Sequence, residues 1–141
     1  MVWCVQRYAK DCLDLATETI PCPVLLTEAG VTLTEDSSKV RRAAAGDCVR
    51  LALHHWPTYM IEAPSARKSI VQGLAQGLQD KANETRVACR AAYVEALQVC
   101  PEIAHSVFET LDKFERVKLL KYTSGSGSPT GSSTGTSPGS R

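Results

Sequence analysis

Apolar residues recur at helical spacing along most of the first 122 residues. The clearest stripe lies in residues 84–100, at positions i, i+3, i+4, i+7, i+8 and i+11. Its members are Cys89, Ala92, Tyr93, Ala96, Leu97 and Cys100. This stripe predicts an amphipathic helix over 84–100, with Asn83 as its N-cap. A second stripe predicts a helix over 64–79, and the short turn 80–83 would join the two as an antiparallel hairpin.

The same periodicity predicts three further helices. They cover residues 2–17, residues 38–56 with Ser38 as the cap, and a long segment from Pro101 to about residue 122. In the long segment we expect Ile103, Val107, Leu111, Phe114 and Val117 to line one inward face. The apolar, β-branched segment 21–33 is interpreted as a short helix.

The end of the chain has a different composition. Residues 123–141 contain only Thr, Ser, Gly, Pro and one terminal Arg. Such a segment has no large apolar side chain with which to offset the entropy of ordering, so we expect a disordered C-terminal tail. The predicted organisation is therefore a helical N-terminal segment over 1–34, helical repeats over 35–122 and the tail over 123–141.

Composition and charge exclude several classes of function. Sixteen basic and fifteen acidic side chains give a net charge of +1, which argues against a nucleic-acid binder with a wholly positive surface. No apolar stretch approaches the roughly 20 residues that a membrane helix requires, so we expect no membrane span. The six cysteines contain no CxxC pair, and we interpret them as reduced core residues of a cytoplasmic protein.

Residues with catalytic or metal-binding chemistry do not form a recognisable set. His54 and His55 are adjacent, and successive helical side chains point about 100° apart, so one helix cannot direct both to one metal. Cys100 has no His and acid partner at a known spacing. Gly73 and Gly77 lie inside a helical pattern and not in a phosphate loop. We therefore expect no enzymatic activity, no metal and no cofactor.

A weak internal repeat suggests how the helices are arranged. A shift of 45 residues superposes Glu35, Val40, Arg41 and Ala44 on Asp80, Thr85, Arg86 and Cys89. Helical repeats of about 40–47 residues are the HEAT and armadillo period, which predicts an all-α fold of HEAT-like hairpin repeats, a partial α-solenoid. Arg41 and Arg86 would either pair with Glu35 or Asp80 in the turns or contact a partner protein.

Three segments carry a resemblance to a known family. They are DSSKVRRAAAGDCVRLALHHWPTYMIE, SIVQGLAQGLQDKANETRVACRAAYVEAL and VFETLDKFERVKLLKY. Over residues 35–122 the chain resembles the C-terminal part of the second TOG domain of the CLASP family of microtubule-associated proteins. A TOG domain has six helical hairpins, whereas 122 residues hold about three.

The resemblance implies a HEAT-repeat paddle whose turns bind tubulin and which stabilises microtubules and regulates their dynamics in the cytoplasm and the mitotic spindle. Carried over position by position, it implies six partner-binding residues, which are Lys39, Arg41, Arg42, Lys81, Asn83 and Arg86. The alternative interpretation is a generic helical-repeat scaffold that binds another protein and not tubulin.

Overall fold

The protein is all-α over residues 2–125, which the computed structural model describes, with side chains from Cys4 onward. Eight helices and no strand occur in this range. They are α1 (Val2–Thr19), α2 (Pro23–Glu35), α3 (Lys39–His55), α4 (Thr58–Ile61), α5 (Pro64–Leu78), α6 (Asn83–Val99), α7 (Pro101–Thr110) and α8 (Lys113–Gly125). The helices divide between a unit that ends at Leu111 and contains α1 to α7, and a second unit from Asp112 that contains α8.

Two stacked hairpins form the centre of the first unit. The α2–α3 hairpin packs on the α5–α6 hairpin so that α2 lies on α5 and α3 lies on α6. Helix α1 packs against α3 of the first hairpin, and α7 packs against α5 and α6 of the second. The predicted fold of helical hairpin repeats is therefore confirmed, and α1 continues the layer that contains α3 and α6.

Local sequence signals explain where most helices begin. Pro23, Pro64 and Pro101 each occupy a first turn, where the missing N–H costs no hydrogen bond. The predicted cap of α3 is confirmed, because the Ser38 hydroxyl accepts a hydrogen bond from the backbone N–H of Arg41 at 3.3 Å. The predicted cap of α6 is wrong, since Asn83 is already the first helical residue.

The long C-terminal helix that the pattern predicted is interrupted. It ends at Thr110 and a new helix begins at Lys113, because the Asp112 carboxylate accepts a hydrogen bond from the backbone N–H of Glu115 at 2.8 Å. Phe114 and Val117 were expected to face inward, but 69% and 47% of their surfaces are exposed. Within its own unit α8 continues to Gly125, and the rest of the predicted tail, 126–141, lies outside the described residues.

The layer of α2 and α5 is packed tightly around two glycines. Gly30 and Gly73 face each other, and a Cβ atom on Gly73 would lie 2.9 Å from the Cα of Gly30. A Cβ atom on Gly30 would collide with the backbone carbonyl of Ser69. Leu26, Leu33, Ile70 and Leu74 are completely or almost completely buried. The hairpins can therefore approach this closely only because both glycines lack a side chain.

Polar contacts attach α1 to the stack through its C-terminal half. The indole N–H of Trp56 donates to the backbone carbonyl of Thr17, whose hydroxyl lies 3.4 Å from the Cys48 thiol. Lys10 forms an ion pair with Asp47 at 3.1 Å. Trp56 is buried between these helices, whereas Tyr59, three residues later, is 73% exposed.

The cysteines fall into two groups. Cys48, Cys89 and Cys100 are buried, as a core position requires. The other three are exposed, which corrects the expectation that the cysteines are core residues. The exposed members are Cys4, Cys12 and Cys22.

We expect the substitution Gly30→Ala to lower the free energy of unfolding by about 1–3 kcal/mol, the usual cost of overpacking a core. Ala is intrinsically the better helix residue by about 1 kcal/mol, so a loss of stability would report the close contact with Ser69 and not helix propensity. Urea unfolding followed by circular dichroism measures this change.

The matched control is Gly125→Ala, because an added Cβ there meets no described atom within 4 Å. Equal midpoints for wild type and Gly30→Ala would contradict the close packing of α2 on α5.

Candidate protein-binding edge

Two short turns, each followed by the first residues of a helix, lie side by side and contain all six predicted site residues. We call residues 36–42 and 80–86 together the turn edge. In the first turn the Asp36 carboxylate accepts a hydrogen bond from the backbone N–H of Ser38 at 2.8 Å, and in the second the Asp80 carboxylate accepts one from Ala82 at 2.8 Å. Each aspartate therefore fixes its turn in the same way, as an Asx turn.

The arginines show that the repeat period is 44 residues, so the predicted shift of 45 is wrong by one position. Arg42 donates to the backbone carbonyl of Asp36 at 3.0 Å, and Arg86 donates to the backbone carbonyl of Asp80 at 2.7 Å. Arg42, and not Arg41, is thus the structural equivalent of Arg86. Arg41 and Arg42 are adjacent in the sequence. A shift of 45 residues aligns Arg41 with Arg86, and a shift of 44 residues aligns Arg42 with Arg86, so the sequence alone does not distinguish the two periods.

An ion pair between Arg42 and Asp80 connects the two turns. The guanidinium donates through Nε and Nη2 to both carboxylate oxygens, at 2.6 and 2.9 Å. Only 10% of the Arg42 side chain and 8% of the Asp80 side chain are exposed. The hydrogen bond from Arg42 holds the pKa of Asp80 below its usual value, and the backbone N–H of Ala82 adds to the effect, while burial opposes it.

Arg41 is paired as well, but at the surface. Its Nε atom lies 2.8 Å from the carboxylate of Asp36, and 66% of the Arg41 side chain stays exposed. This hydrogen bond, assisted by the one from Ser38, lowers the pKa of Asp36. The predicted pairing of Arg41 with Glu35 is wrong, because the neighbouring Asp36 is the residue whose carboxylate is held at the turn.

The other site residues differ in how much charge they present to solvent. Lys39 approaches Glu84 at 3.7 Å, and both side chains are about 60% exposed. Lys81 is exposed and forms no ion pair with the residues that the structure describes. Asn83 lies 3.4 Å from Arg86, whose guanidinium is directed to the backbone carbonyls of the turn. The structure therefore brings all six residues to one edge but leaves only Lys39, Arg41 and Lys81 as solvent-facing cations.

The turn edge as a whole is modestly basic. Its two segments contain five basic and three acidic side chains, a net charge of +2 in a chain whose overall charge is +1. The negative charges of Asp36 and Glu84 reduce the positive electrostatic potential of the nearby cations. The site predicted from the sequence did not contain these two acids. An acidic partner would be attracted by this edge through several weak contacts and not through one strong one.

A groove adjoins the turn edge between the N-terminal half of α1 and the start of α3. Its volume is about 630 Å³, and Lys39 and Arg41 lie at its margin. Apolar side chains form its walls, namely Val5, Ala9, Leu13, Val40, Ala43 and Ala44. The contacts of α1 with Cys48, Trp56 and Asp47 involve residues 10–17, so α1 is held at its other end. A partner on the turn edge could place an apolar side chain in this groove.

The buried thiols differ from reactive cysteines in their ionisation. Burial raises the pKa of the Cys89 thiol to about 12, and burial also raises the pKa of Cys100, so both thiols are protonated at neutral pH. Within residues 2–125 no three His, Cys, Asp or Glu side chains are grouped so that they could hold a metal ion. Over the same range, each helix is too short or too polar to cross a bilayer.

Comparison with protein-family models found no match, and comparison with curated proteins found no significant match. The resemblance to CLASP TOG domains stays a prediction.

We expect Arg42→Ala to lower the thermal unfolding midpoint clearly and Arg41→Ala to leave it almost unchanged. The first substitution leaves the buried Asp80 carboxylate and the Asp36 carbonyl without their donor, whereas the second removes an exposed pair. Circular dichroism melts of the two variants provide the measurement. Equal shifts for both variants would show that the Arg42–Asp80 contact does not join the hairpins.

The same pair predicts a pH dependence. The pKa of Asp80 is depressed in the folded state relative to about 3.9 in an unfolded chain, so its contribution is complete above that value and is lost as the pH falls through the folded pKa. We expect Asp80→Asn to be less stable than wild type at pH 7 and to lose less stability between pH 7 and pH 3. Urea unfolding at several pH values tests this, and parallel curves would contradict it.

Proposed function

We propose that this protein is a non-catalytic HEAT-like repeat protein that binds tubulin through the turn edge and so contributes to microtubule stability. The observation that supports this proposal best is the position of Lys39, Arg41 and Lys81, three exposed cations on two neighbouring turns. Tubulin is acidic, so a set of cations along one edge is chemically suited to its surface. The resemblance to CLASP TOG domains, which use the turns of the same kind of repeat, adds support.

The ion pair between Arg42 and Asp80 supports the turn edge in this proposal. Because this pair joins the two turns directly, it keeps the backbone segments that carry Lys39 and Lys81 next to each other. Individual exposed ion pairs contribute about 0–1 kcal/mol, so useful affinity requires several contacts on a surface that loses little entropy on binding. Arg42 and Arg86 therefore serve in this proposal as supports of the turns, and the three exposed cations serve as the contacts.

The alternative function is a helical-repeat scaffold for a partner other than tubulin. The groove beside α1 favours this alternative, because its apolar walls would suit a hydrophobic side chain of many different proteins. The two functions differ in their dependence on charge. Binding to tubulin would depend on the cations of the turn edge and would weaken with salt, whereas binding in the groove would depend on Val40 and its apolar neighbours.

We expect the wild-type chain to pellet with microtubules and the triple variant Lys39→Glu/Arg41→Glu/Lys81→Glu to remain in the supernatant. The reason is that charge reversal at three exposed positions turns a net attraction to an acidic surface into repulsion. Co-sedimentation at two salt concentrations measures the effect, and the wild-type pellet should decrease at the higher one.

The matched control reverses the charge of three exposed lysines outside the turn edge. Its substitutions are Lys68→Glu, Lys113→Glu and Lys121→Glu. It has the same net charge as the edge variant and should still pellet. If both variants lose binding equally, the attraction is a property of total charge and the turn edge is not the site. If neither wild type nor control pellets, tubulin is not the partner.

A further inference from the structure

Helix α1 has two distinct faces, and contacts among the described residues cover only one of them. The first contains the buried Thr17 and the half-buried Lys10, Leu13 and Asp14, several of which contact α3. The second lies on the opposite side, because Tyr8 and Thr17 are nine residues apart and nine residues rotate an α-helix by about 180°. Contacts within the described residues therefore account for one face of α1 and leave the other unexplained.

The second face has the spacing of a coiled-coil seam. Val5, Tyr8, Cys12 and Leu15 follow one another at intervals of three, four and three residues, which is the alternation of the a and d positions of a heptad. Val5 is 62% exposed, Tyr8 73% and Leu15 61%, and Cys12 is exposed as well. Val5 lies at the boundary of this face, since it also lines the groove between α1 and α3. We call these four residues the α1 seam. An apolar stripe that consists only of a and d positions is narrower than the apolar face of a helix that packs on a globular core. A stripe of this width is typical of a contact with a single partner helix.

A further hairpin stacked on this side would need a second apolar surface, and α2 does not provide it. The outer face of α2 consists of Val24, Glu28, Val31 and Glu35, which recur at intervals of four, three and four residues. Its two carboxylates would have to be buried under a stacked helix, and burial of unpaired carboxylates is costly, whereas the contact of α2 with α5 buries Leu26, Leu33, Ile70 and Leu74 without a carboxylate among them. Among the described residues, the exposed valines of α2 thus alternate with glutamates, whereas α1 carries an uninterrupted apolar stripe.

We propose that the α1 seam is an interface on which a second copy of this chain docks, with the two α1 helices parallel about a two-fold axis. The seam is its own complement, because a parallel two-fold pair places each seam residue opposite the same residue of the other copy. Cys12 of one copy then faces Cys12 of the other.

The residues that flank the seam determine the direction of the pair. Asp11 and Glu18 occupy the g positions on one side, and the small exposed residues Ala9 and Ala16 occupy the e positions on the other. A parallel pair brings g residues against e residues, so each acid meets an alanine. An antiparallel pair would bring the acids of the two copies together, and like charges at that contact are destabilising.

The size of the seam sets the expected strength. Four seam residues span about two heptads, so the interface lies at the small end of specific protein contacts. We therefore expect reversible dimers at micromolar concentrations. This association is independent of the turn edge, so it can be tested whether or not the chain binds tubulin.

The test is sedimentation equilibrium of the full chain over a range of concentrations with a reducing agent present. We expect the wild type to approach twice the monomer mass, and Tyr8→Glu to raise the dimer dissociation constant by about tenfold or more, equivalent to about 1.4 kcal/mol or more. The matched control is Tyr59→Glu, because Tyr59 is also 73% exposed but lies outside α1. It should leave the dissociation constant unchanged.

A second measurement tests the parallel arrangement. In a variant with Cys4→Ser and Cys22→Ser, Cys12 is the remaining exposed thiol among the described residues, and a short bismaleimide should link two copies through it. A chain with Cys4→Ser and Cys12→Ser, which keeps Cys22, should give far less linked dimer.

Three outcomes would overturn the proposal. They are a wild type that stays monomeric at the highest concentration, equal effects of Tyr8→Glu and Tyr59→Glu, and a Cys12 chain that links no better than the Cys22 chain. Leu15→Glu provides a second seam variant in case Tyr8→Glu changes the circular dichroism spectrum.

Discussion

The stacking of the two hairpins depends on one buried contact, the ion pair of Arg42 with Asp80. Apolar burial supplies most of the driving force for packing α3 on α6 and α2 on α5, but it is non-directional and tolerates small slips. The ion pair does not tolerate them, because a displaced Arg42 would leave the buried Asp80 carboxylate without its cationic partner and the Asp36 carbonyl without the Arg42 donor. It therefore adds a directional contact to the apolar packing and favours the register in which Arg42 meets Asp80.

Much of the fold was predictable because its signals are local. Helical periodicity, a proline in the first turn and the Ser38 cap depend on neighbours within a few residues, and the helices that they predicted are present. The break before Asp112 was missed because the apolar stripe seemed to continue through it, although an Asp at that position is a favourable cap. The repeat period was misread because it depends on which of two adjacent arginines reaches the turn, and that is a tertiary contact.

The candidate site was predictable in its location but not in its chemistry. Each of the six residues lies in or just after a turn, so the hairpin pattern alone places them on one edge. Which cations remain available depends on partners such as Asp80, which lies 38 residues from Arg42. The α1 seam was not recognised for a related reason. Its apolar positions have the same periodicity as a core-facing stripe, and only the packed structure shows which face of α1 is covered.

The distance along the chain between Arg42 and Asp80 also bears on how the protein is made. Translation proceeds from the N-terminus, so Arg42 is synthesised 38 residues before Asp80, an interval of roughly 2–8 s at about 5–20 residues per second. During that time the guanidinium can bond to the carbonyl of Asp36 and to water, but not to its carboxylate partner. The first hairpin therefore emerges before the second hairpin has been synthesised. At that stage its turn is complete, but the face that α5 and α6 later cover is exposed. A chaperone could bind this exposed face of the nascent chain.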